Sequence, residues 1–307
     1  MHYTLHQLEI FLTVVDLQSI TKAAEELHLT QPAISIQLKK LQEQFEIPLI
    51  EVIGRQLYVT DFGNDIAQKC RRIKHEMDEI THTVNQHKGL LTGSINISVV
   101  STAKYIIPYF LKPFMDLHPG IKISIDVSNK TRVLEGLSKN KTDFSLISVL
   151  PEDIQLEAIE LMENRLYLTG PQEFKGKMKK PKDLEKVTLL FREKGSATRN
   201  AMEKYLKSKN VNIGTSMQLV SNEAIKQTIN AGIGFSIMPL IGLRTALNSE
   251  KMSIYPLAGL PITTQWHLVH PKGKSLSPAQ KALIQFINDN KKQLVEEHFN
   301  WALNPLV

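Results

Sequence analysis

The chain has 307 residues, 42% hydrophobic and 22% charged, a composition that suits about two or three globular domains and excludes an intrinsically disordered chain. No run of about 18 apolar residues marks a membrane span, and the start lacks a basic segment followed by an apolar stretch. A cytoplasmic protein is therefore expected, which makes the sequons at Asn96, Asn129 and Asn140 chance matches, and the single cysteine, Cys70, excludes a disulfide framework and a cysteine-rich zinc site.

The net charge of +6 invites a nucleic-acid reading, but residues 1–90 carry nine Lys/Arg against twelve Asp/Glu, leaving that segment at −3 and the remainder at +9. Basicity alone does not locate a DNA site. Helical patterning does more. Leu5, Leu8, Phe11, Leu12 and Val15 recur at helical spacing. Ser19 suits the N-cap of a short second helix, Ile20 to Leu27, whose Ala23-Ala24 pair lets another helix cross closely. His28-Leu29 breaks the pattern, and Thr30 can cap a third helix, Gln31 to about Phe45, with Pro32 in its first turn. Two helices joined by so short a turn match a helix-turn-helix. In the third helix Ile34, Leu38, Leu41 and Phe45 form the inward stripe, while Gln31 and Ser35 flank the N-terminal end and Lys39 and Lys40 point away from the core. Glutamine and serine there can meet base edges, and the lysines can neutralise phosphate. The same pattern also serves ordinary helix packing.

The stretch Ser19-Ile20-Thr21-Lys22-Ala23-Ala24-Glu25-Glu26-Leu27-His28-Leu29-Thr30-Gln31-Pro32-Ala33-Ile34-Ser35 resembles the signature of LysR-type transcriptional regulators. Ile47-Pro48-Leu49, Gly54-Arg55 and Val59-Thr60-Asp61-Phe62-Gly63 continue the resemblance through a wing, and the length arrangement extends it over the whole chain. It implies that Thr21, Thr30, Gln31, Pro32 and Ser35 approach double-stranded promoter DNA, and that Arg55 reaches the minor groove or its phosphates. Two positions depart from the family pattern: Ile36 stands where many members have arginine, and Ile50-Glu51-Val52 replaces Phe-Glu-Arg. Losing two cations weakens phosphate attraction, whereas Ile36 can touch a thymine methyl.

Beyond Gly63, Ile66, Cys70, Ile73, Met77, Ile80 and Val84 are spaced 4, 3, 4, 3, 4, a heptad seam. It reads either as a dimer seam or as a long helix packed on its own domain. The resemblance implies the former, with two recognition helices matched to an inverted-repeat operator, and a dimer of dimers (a homotetramer) that contacts RNA polymerase. Peroxide-sensing members use paired cysteines in the C-terminal domain, which this chain lacks.

From Gly93, β-branched runs at Ile95–Val100, Ile121–Val127 and Phe144–Val149 alternate with helical patterns at Ile106–Leu117 and Thr131–Lys139. Such alternation predicts a mainly parallel sheet with ligands at strand C-terminal ends. Further runs follow at Val187–Phe191, Met217–Val220, Phe235–Pro239 and Gln265–His270, before a helix from Ser277. The arrangement resembles the family's two-lobed, periplasmic-binding-protein-like effector domain. Expected boundaries are 1–62 for the winged helix-turn-helix, 63–89 for the linker helix and 90–307 for the effector domain. Its first lobe spans about 90–163 and 267–307 and its second about 164–266, with crossovers near Glu163–Tyr167 and Thr263–Trp266.

Two strand-to-helix turns are candidates for ligand chemistry. Ser101-Thr102 follows the first strand, and Gly195-Ser196-Ala197-Thr198-Arg199 resembles a recurring effector motif. Hydroxyls and free N–H groups at helix N-termini suit carboxylate, sulfate or phosphate oxygens, and Arg199 adds a cation. Ser101, Thr102, Ser196 and Thr198 either cap their helices only, or cap them and touch an anion. Asn129 and Ser148 are further candidates by position. Gly232-Ile233-Gly234-Phe235-Ser236-Ile237-Met238-Pro239 resembles the family's second-lobe cleft segment, and its glycines read as a tight helix-to-strand turn. No dinucleotide, P-loop or nucleophile-elbow motif is present. His267 and His270 alone do not make a metal site, so no catalytic residue, metal or cofactor is expected beyond a small-molecule effector.

Overall fold

The computed structural model describes residues 3–54, 56–87, 91–247 and 251–303, without the side chains of residues 75, 78, 79 and 81–87, and divides into two compact units, Met1–Leu90 and Leu91–Val307. In the first unit, Thr4 starts helix α1 (Leu5–Leu17). Its hydroxyl accepts from the Gln7 amide at 3.2 Å while the Gln7 side chain accepts from the Thr4 amide at 2.9 Å. Gln18, at φ 49°, ends the helix. Ser19 caps α2 (Ile20–Glu26) through the Lys22 amide, and Thr30 caps α3 (Gln31–Gln42) through the Ala33 amide. His28 makes the intervening turn at φ 52°.

The third helix stops three residues short of the expected Phe45. At Gln42 the side chain accepts from the Leu49 amide at 2.6 Å and donates to the Ile47 carbonyl at 3.2 Å, turning the chain toward the wing. Phe45 still packs on the core, stacked on Tyr3 and edge-on to Phe62. Ile10, Phe11, Ala23, Ile34 and Leu41 are all fully buried in that core, and burying an isoleucine, leucine or phenylalanine side chain contributes about 1.5–3 kcal/mol. The wing pairs β1 (Ile50–Ile53) with β2 (Gln56–Val59) antiparallel, and Gly54 at φ +56° supplies the tight connection. Thr60 then ties the wing to α4 (Asp61–His87): its hydroxyl donates to the Pro48 carbonyl at 2.6 Å and accepts from the Gly63 amide at 2.9 Å. A Cβ at Gly63 would lie 2.0 Å from the Leu49 carbonyl oxygen, so the close passage requires glycine.

The second unit begins with a parallel three-stranded group. Here β3 (Gly93–Val100) lies between β4 (Ile121–Ser128) and β5 (Phe144–Ile147), with α5 (Ile107–Leu117) and α6 (Lys130–Ser138) as crossovers. Two long strands, β6 (Leu156–Pro171) and a later one, β11 (Ile262–Pro271), pair antiparallel over almost their whole length, with a bulge between Trp266 and His267. At one end β11 pairs with β5. At the other, β6 pairs with β9 (Ser236–Pro239) and β10 (Met252–Tyr255). β6 and β11 thus run from one lobe into the other. In the second lobe β7 (Leu189–Arg192) runs parallel to β8 (Ser216–Leu219), with α7 (Ala197–Ser208) and α8 (Asn222–Asn230) packed on them, while the short α9 (Arg244–Leu247) packs on β10. The C-terminal α10 (Pro278–Leu303) packs back on α5 and β3.

Each lobe has buried apolar packing: Phe110, Phe114, Phe144 and Trp266 anchor one cluster, and Leu168, Leu184, Leu189 and Phe235 the other. Gly232 adopts φ +79°, and a Cβ on Gly234 would lie 2.4 Å from the Thr188 carbonyl oxygen. Both glycines thus serve the turn into β9. No helix among the described residues is long and apolar enough to cross a membrane.

Candidate functional site

The inward stripe of α3 leaves its other faces in solvent. Thr21 on α2 and Thr30, Gln31, Pro32, Ser35, Lys39 and Lys40 on or beside α3 are all exposed. Thr21 and Gln31 share a concavity of about 600 Å³ with Gln18, Ser19 and the wing residues Val52, Gln56 and Tyr58. The helix-turn-helix and the wing thus frame one recess of mixed polar and apolar lining, with the N-terminal end of α3 at its edge. Such an end carries side chains that can reach base edges in a major groove. Ile36 and Val52, where the family pattern has cations, are 54% and 65% exposed, so both departures present apolar surface. Arg55 lies outside the described residues.

The heptad seam divides along α4. Ile66 and Cys70 belong to the unit's own core, Cys70 being only 3% exposed, whereas Ile73, Met77 and Ile80 are 38%, 41% and 67% exposed. Burial pushes the Cys70 thiol up from its ordinary value, partly offset by the neighbouring Arg71 guanidinium. A groove of about 240 Å³ between α1 and α4 is lined by Leu5, Leu8, Leu12, Cys70, Ile73 and Met77. The side chain of Val84 lies outside the described residues.

In the second unit, strand ends from the two lobes converge on a cavity of about 360 Å³. The first lobe supplies Ser101 after β3, Val127 and Ser128 from β4, Asn129, and Arg132 from α6; the second supplies Arg192, Glu193 and Val220. Arg192, the last residue of β7, is 3% exposed. Its Nη2 donates to Ser101 Oγ at 3.0 Å across the cleft, and its Nη1 donates to Asn222 Oδ1 at 2.5 Å. Its Nε and Nη2 donate to the two oxygens of Glu193 at 2.8 and 3.0 Å. A guanidinium in a polar recess with so little solvent is a strong oxyanion ligand, because its planar fork matches two oxygens at once.

The other candidates take different places. Asn129 lines the cavity and caps α6, accepting from the Arg132 amide at 3.1 Å. Ser148 is half-buried just beyond β5. Thr102 and Ser196 occupy cap positions without a capping side-chain bond, and both are buried, as is Thr198. A 3-10 turn, Ala103–Tyr105, intervenes after Thr102, so α5 begins only at Ile107 and its free amides do not follow directly on Ser101-Thr102. Gly195, at φ +87°, brings the second turn so close to the first lobe that a Cβ would lie 2.7 Å from Thr131 Oγ1. Arg199 is bound within the protein, donating to Glu203 at 2.7 Å, Gln218 at 2.7 Å and the Arg192 carbonyl at 2.8 Å. It holds the backbone of Arg192; Arg192 itself reaches the cavity. Sequence reasoning missed Arg192, Glu193, Asn222 and Arg132. The available signal was a charged residue closing the apolar run Leu189-Leu190-Phe191.

Among the described residues, no group of three or more His, Cys, Asp or Glu side chains is placed to hold a metal ion. Residues 5–64 match the family described as "Bacterial regulatory helix-turn-helix protein, lysR family", and residues 88–292 match "LysR substrate binding domain". The chain is 34% identical over 290 residues to a RuBisCO operon transcriptional regulator of Allochromatium vinosum, covering 94% of this chain and 96% of that one. It is 35% identical over 289 residues to a RuBisCO operon transcriptional regulator of Acidithiobacillus ferrooxidans, covering 93% and 94%. The regulatory domain of CcmR from Synechocystis PCC6803, solved in complex with 2-PG, superposes with a TM-score of 0.61 at 28% identity, over 68% of this chain and 99% of that one. The chain belongs to the LysR family of transcriptional regulators.

Proposed function

We propose that the cleft at Arg192 binds a small anionic acid, and that its occupancy changes how paired winged helix-turn-helix units engage promoter DNA. The observation that carries this reading is the buried Arg192 guanidinium, which faces a polar cavity between Ser101, Asn129 and Arg132. A ligand with one phosphate and one carboxylate suits two guanidinium groups flanked by a hydroxyl and an amide. The CcmR domain holds 2-PG, which is 2-phosphoglycolate, an acid of that description. Effector contacts fall to Ser101, Asn129, Arg132 and Arg192, while Thr102, Ser148, Ser196, Thr198 and Arg199 shape the surrounding turns.

On the DNA side, Gln31 and Ser35 meet base edges, and Thr21, Thr30, Pro32, Lys39 and Lys40 fix the helix against the backbone, with Arg55 in the wing. The exposed Ile73, Met77 and Ile80 meet a second copy, with Ile66 and Cys70 supporting the seam from within and Val84 extending it. The protein works in the cytoplasm as a dimer of dimers that contacts RNA polymerase and catalyses no reaction. A ligand acts only through unequal affinity for two arrangements of that assembly. Calorimetric titration of the full chain with 2-phosphoglycolate tests the cleft: Arg192→Gln is expected to weaken binding at least about 100-fold, since two charge-assisted hydrogen bonds are lost. Undiminished binding by that variant would refute the assignment.

A further inference from the structure

The Arg192 fork is already occupied. Glu193, the next residue in the chain, places its two carboxylate oxygens 2.8 and 3.0 Å from Nε and Nη2, the pair of donors that a bidentate ligand would use. A guanidinium has five N–H donors; four are engaged by Glu193, Asn222 and Ser101. The Arg192 side chain is 2% exposed and that of Glu193 17%, so the carboxylate sits at the cavity wall with solvent on one side. Asn222, 4% exposed, fixes the far edge of the guanidinium and leaves the Glu193 edge as the exchangeable one.

We infer that Glu193 is a built-in competitor for the effector: a carboxylate that neutralises Arg192 in the empty cleft and must swing into solvent when an external oxyanion takes the same fork. The inference rests on the reading of Arg192 as the anion ligand. The exchange swaps one anion for another on a buried cation, so Arg192 is never left as an uncompensated buried charge. It also sets specificity. A neutral polar ligand cannot replace the carboxylate on the fork, and an anion offering a single oxygen replaces only half of it. Glu193 therefore raises the concentration at which any anion binds and selects for those with two oxygens to offer.

The test is calorimetric titration of the full chain with inorganic phosphate and with 2-phosphoglycolate at constant ionic strength. Wild type, Glu193→Gln, Glu193→Asp and Arg192→Gln are compared, with thermal melts reporting that each is folded. Glu193→Gln is expected to lower Kd for both anions by at least about tenfold, the value of one charge-assisted bond. Glu193→Asp, which keeps the charge but cannot span the fork from the adjacent position, is expected to tighten binding in the same direction. Equal or weaker binding by both Glu193 variants, with binding still lost in Arg192→Gln, would overturn the competitor role and leave the cleft assignment standing. Anion binding that survives Arg192→Gln, or no anion binding in wild type and Glu193 variants alike, would overturn both.

Discussion

Replacing Arg192 with methionine removes the charge and keeps much of the side-chain volume. The consequences follow from its partners. Glu193 loses its counter-ion at 17% side-chain exposure, and Asn222 Oδ1, in a residue 4% exposed, loses its donor. Removing one member of a buried ion pair costs about 3–5 kcal/mol. The partial exposure of Glu193 puts the expected loss near the lower figure. In a unit of 150–250 residues each kcal/mol moves Tm by about 2–4 °C, so a fall on the order of 10 °C is expected. Both tryptophans, Trp266 and Trp301, lie in the second unit, so tryptophan fluorescence during urea unfolding reports that unit and not the DNA-binding one. The double variant Arg192→Met/Glu193→Gln removes the stranded charge and is expected to recover about 1–3 kcal/mol, because neutral replacements of buried ion pairs are tolerated far better than half-pairs. A loss below about 1 kcal/mol in the single variant, or a double variant no more stable than the single, would refute the pairing on which the cleft argument depends.

Four further outcomes are expected. Gln31→Ala should cost about 1–3 kcal/mol in discrimination between operator and mismatched DNA, measured by fluorescence anisotropy. Lys39→Ala or Lys40→Ala should instead weaken binding to all sequences and lower the salt slope by about 0.9. Met77→Glu, at a 41% exposed seam position, should shift the sedimentation profile toward monomer, whereas a change at the buried Cys70 should lower stability first. Finally, burial raises the Cys70 thiol above its ordinary value, so folding favours the neutral form. Stability of the first unit should therefore fall as pH rises past about 8.5, the ordinary thiol value, toward the folded one, and Cys70→Ala should flatten that fall in urea titrations at several pH values.

Elements with strong local signals were legible in the sequence. The spacing of Ile34, Leu38 and Leu41, the caps Ser19 and Thr30 and the proline in the first turn of α3 all act within one helix, and all three apolar residues are buried. The end of α3 was less legible, since it depends on Gln42 bonding residues five and seven positions later. The heptad gave the length of α4 but not its division, because Ile66 and Cys70 are covered by α1, an element far away in sequence. The cleft was the least legible. A helix N-terminus with Ser196, Thr198 and Arg199 carries an obvious anion signature, yet Arg199 is bound by Glu203 and Gln218. Arg192 acquires its meaning only from Ser101 and Asn222, 91 and 30 residues away. No periodicity or local motif encodes such a juxtaposition.

The most direct test of the account is operator affinity measured with and without saturating 2-phosphoglycolate, in wild type and in Arg192→Gln. Linkage requires that any factor by which the anion changes DNA affinity equals the factor by which DNA changes anion affinity. The account expects a change in wild type, mirrored in the reciprocal titration and absent in Arg192→Gln, which should still bind the operator. An anion effect of equal size in both proteins, or none in wild type despite saturation of the cleft, would contradict it.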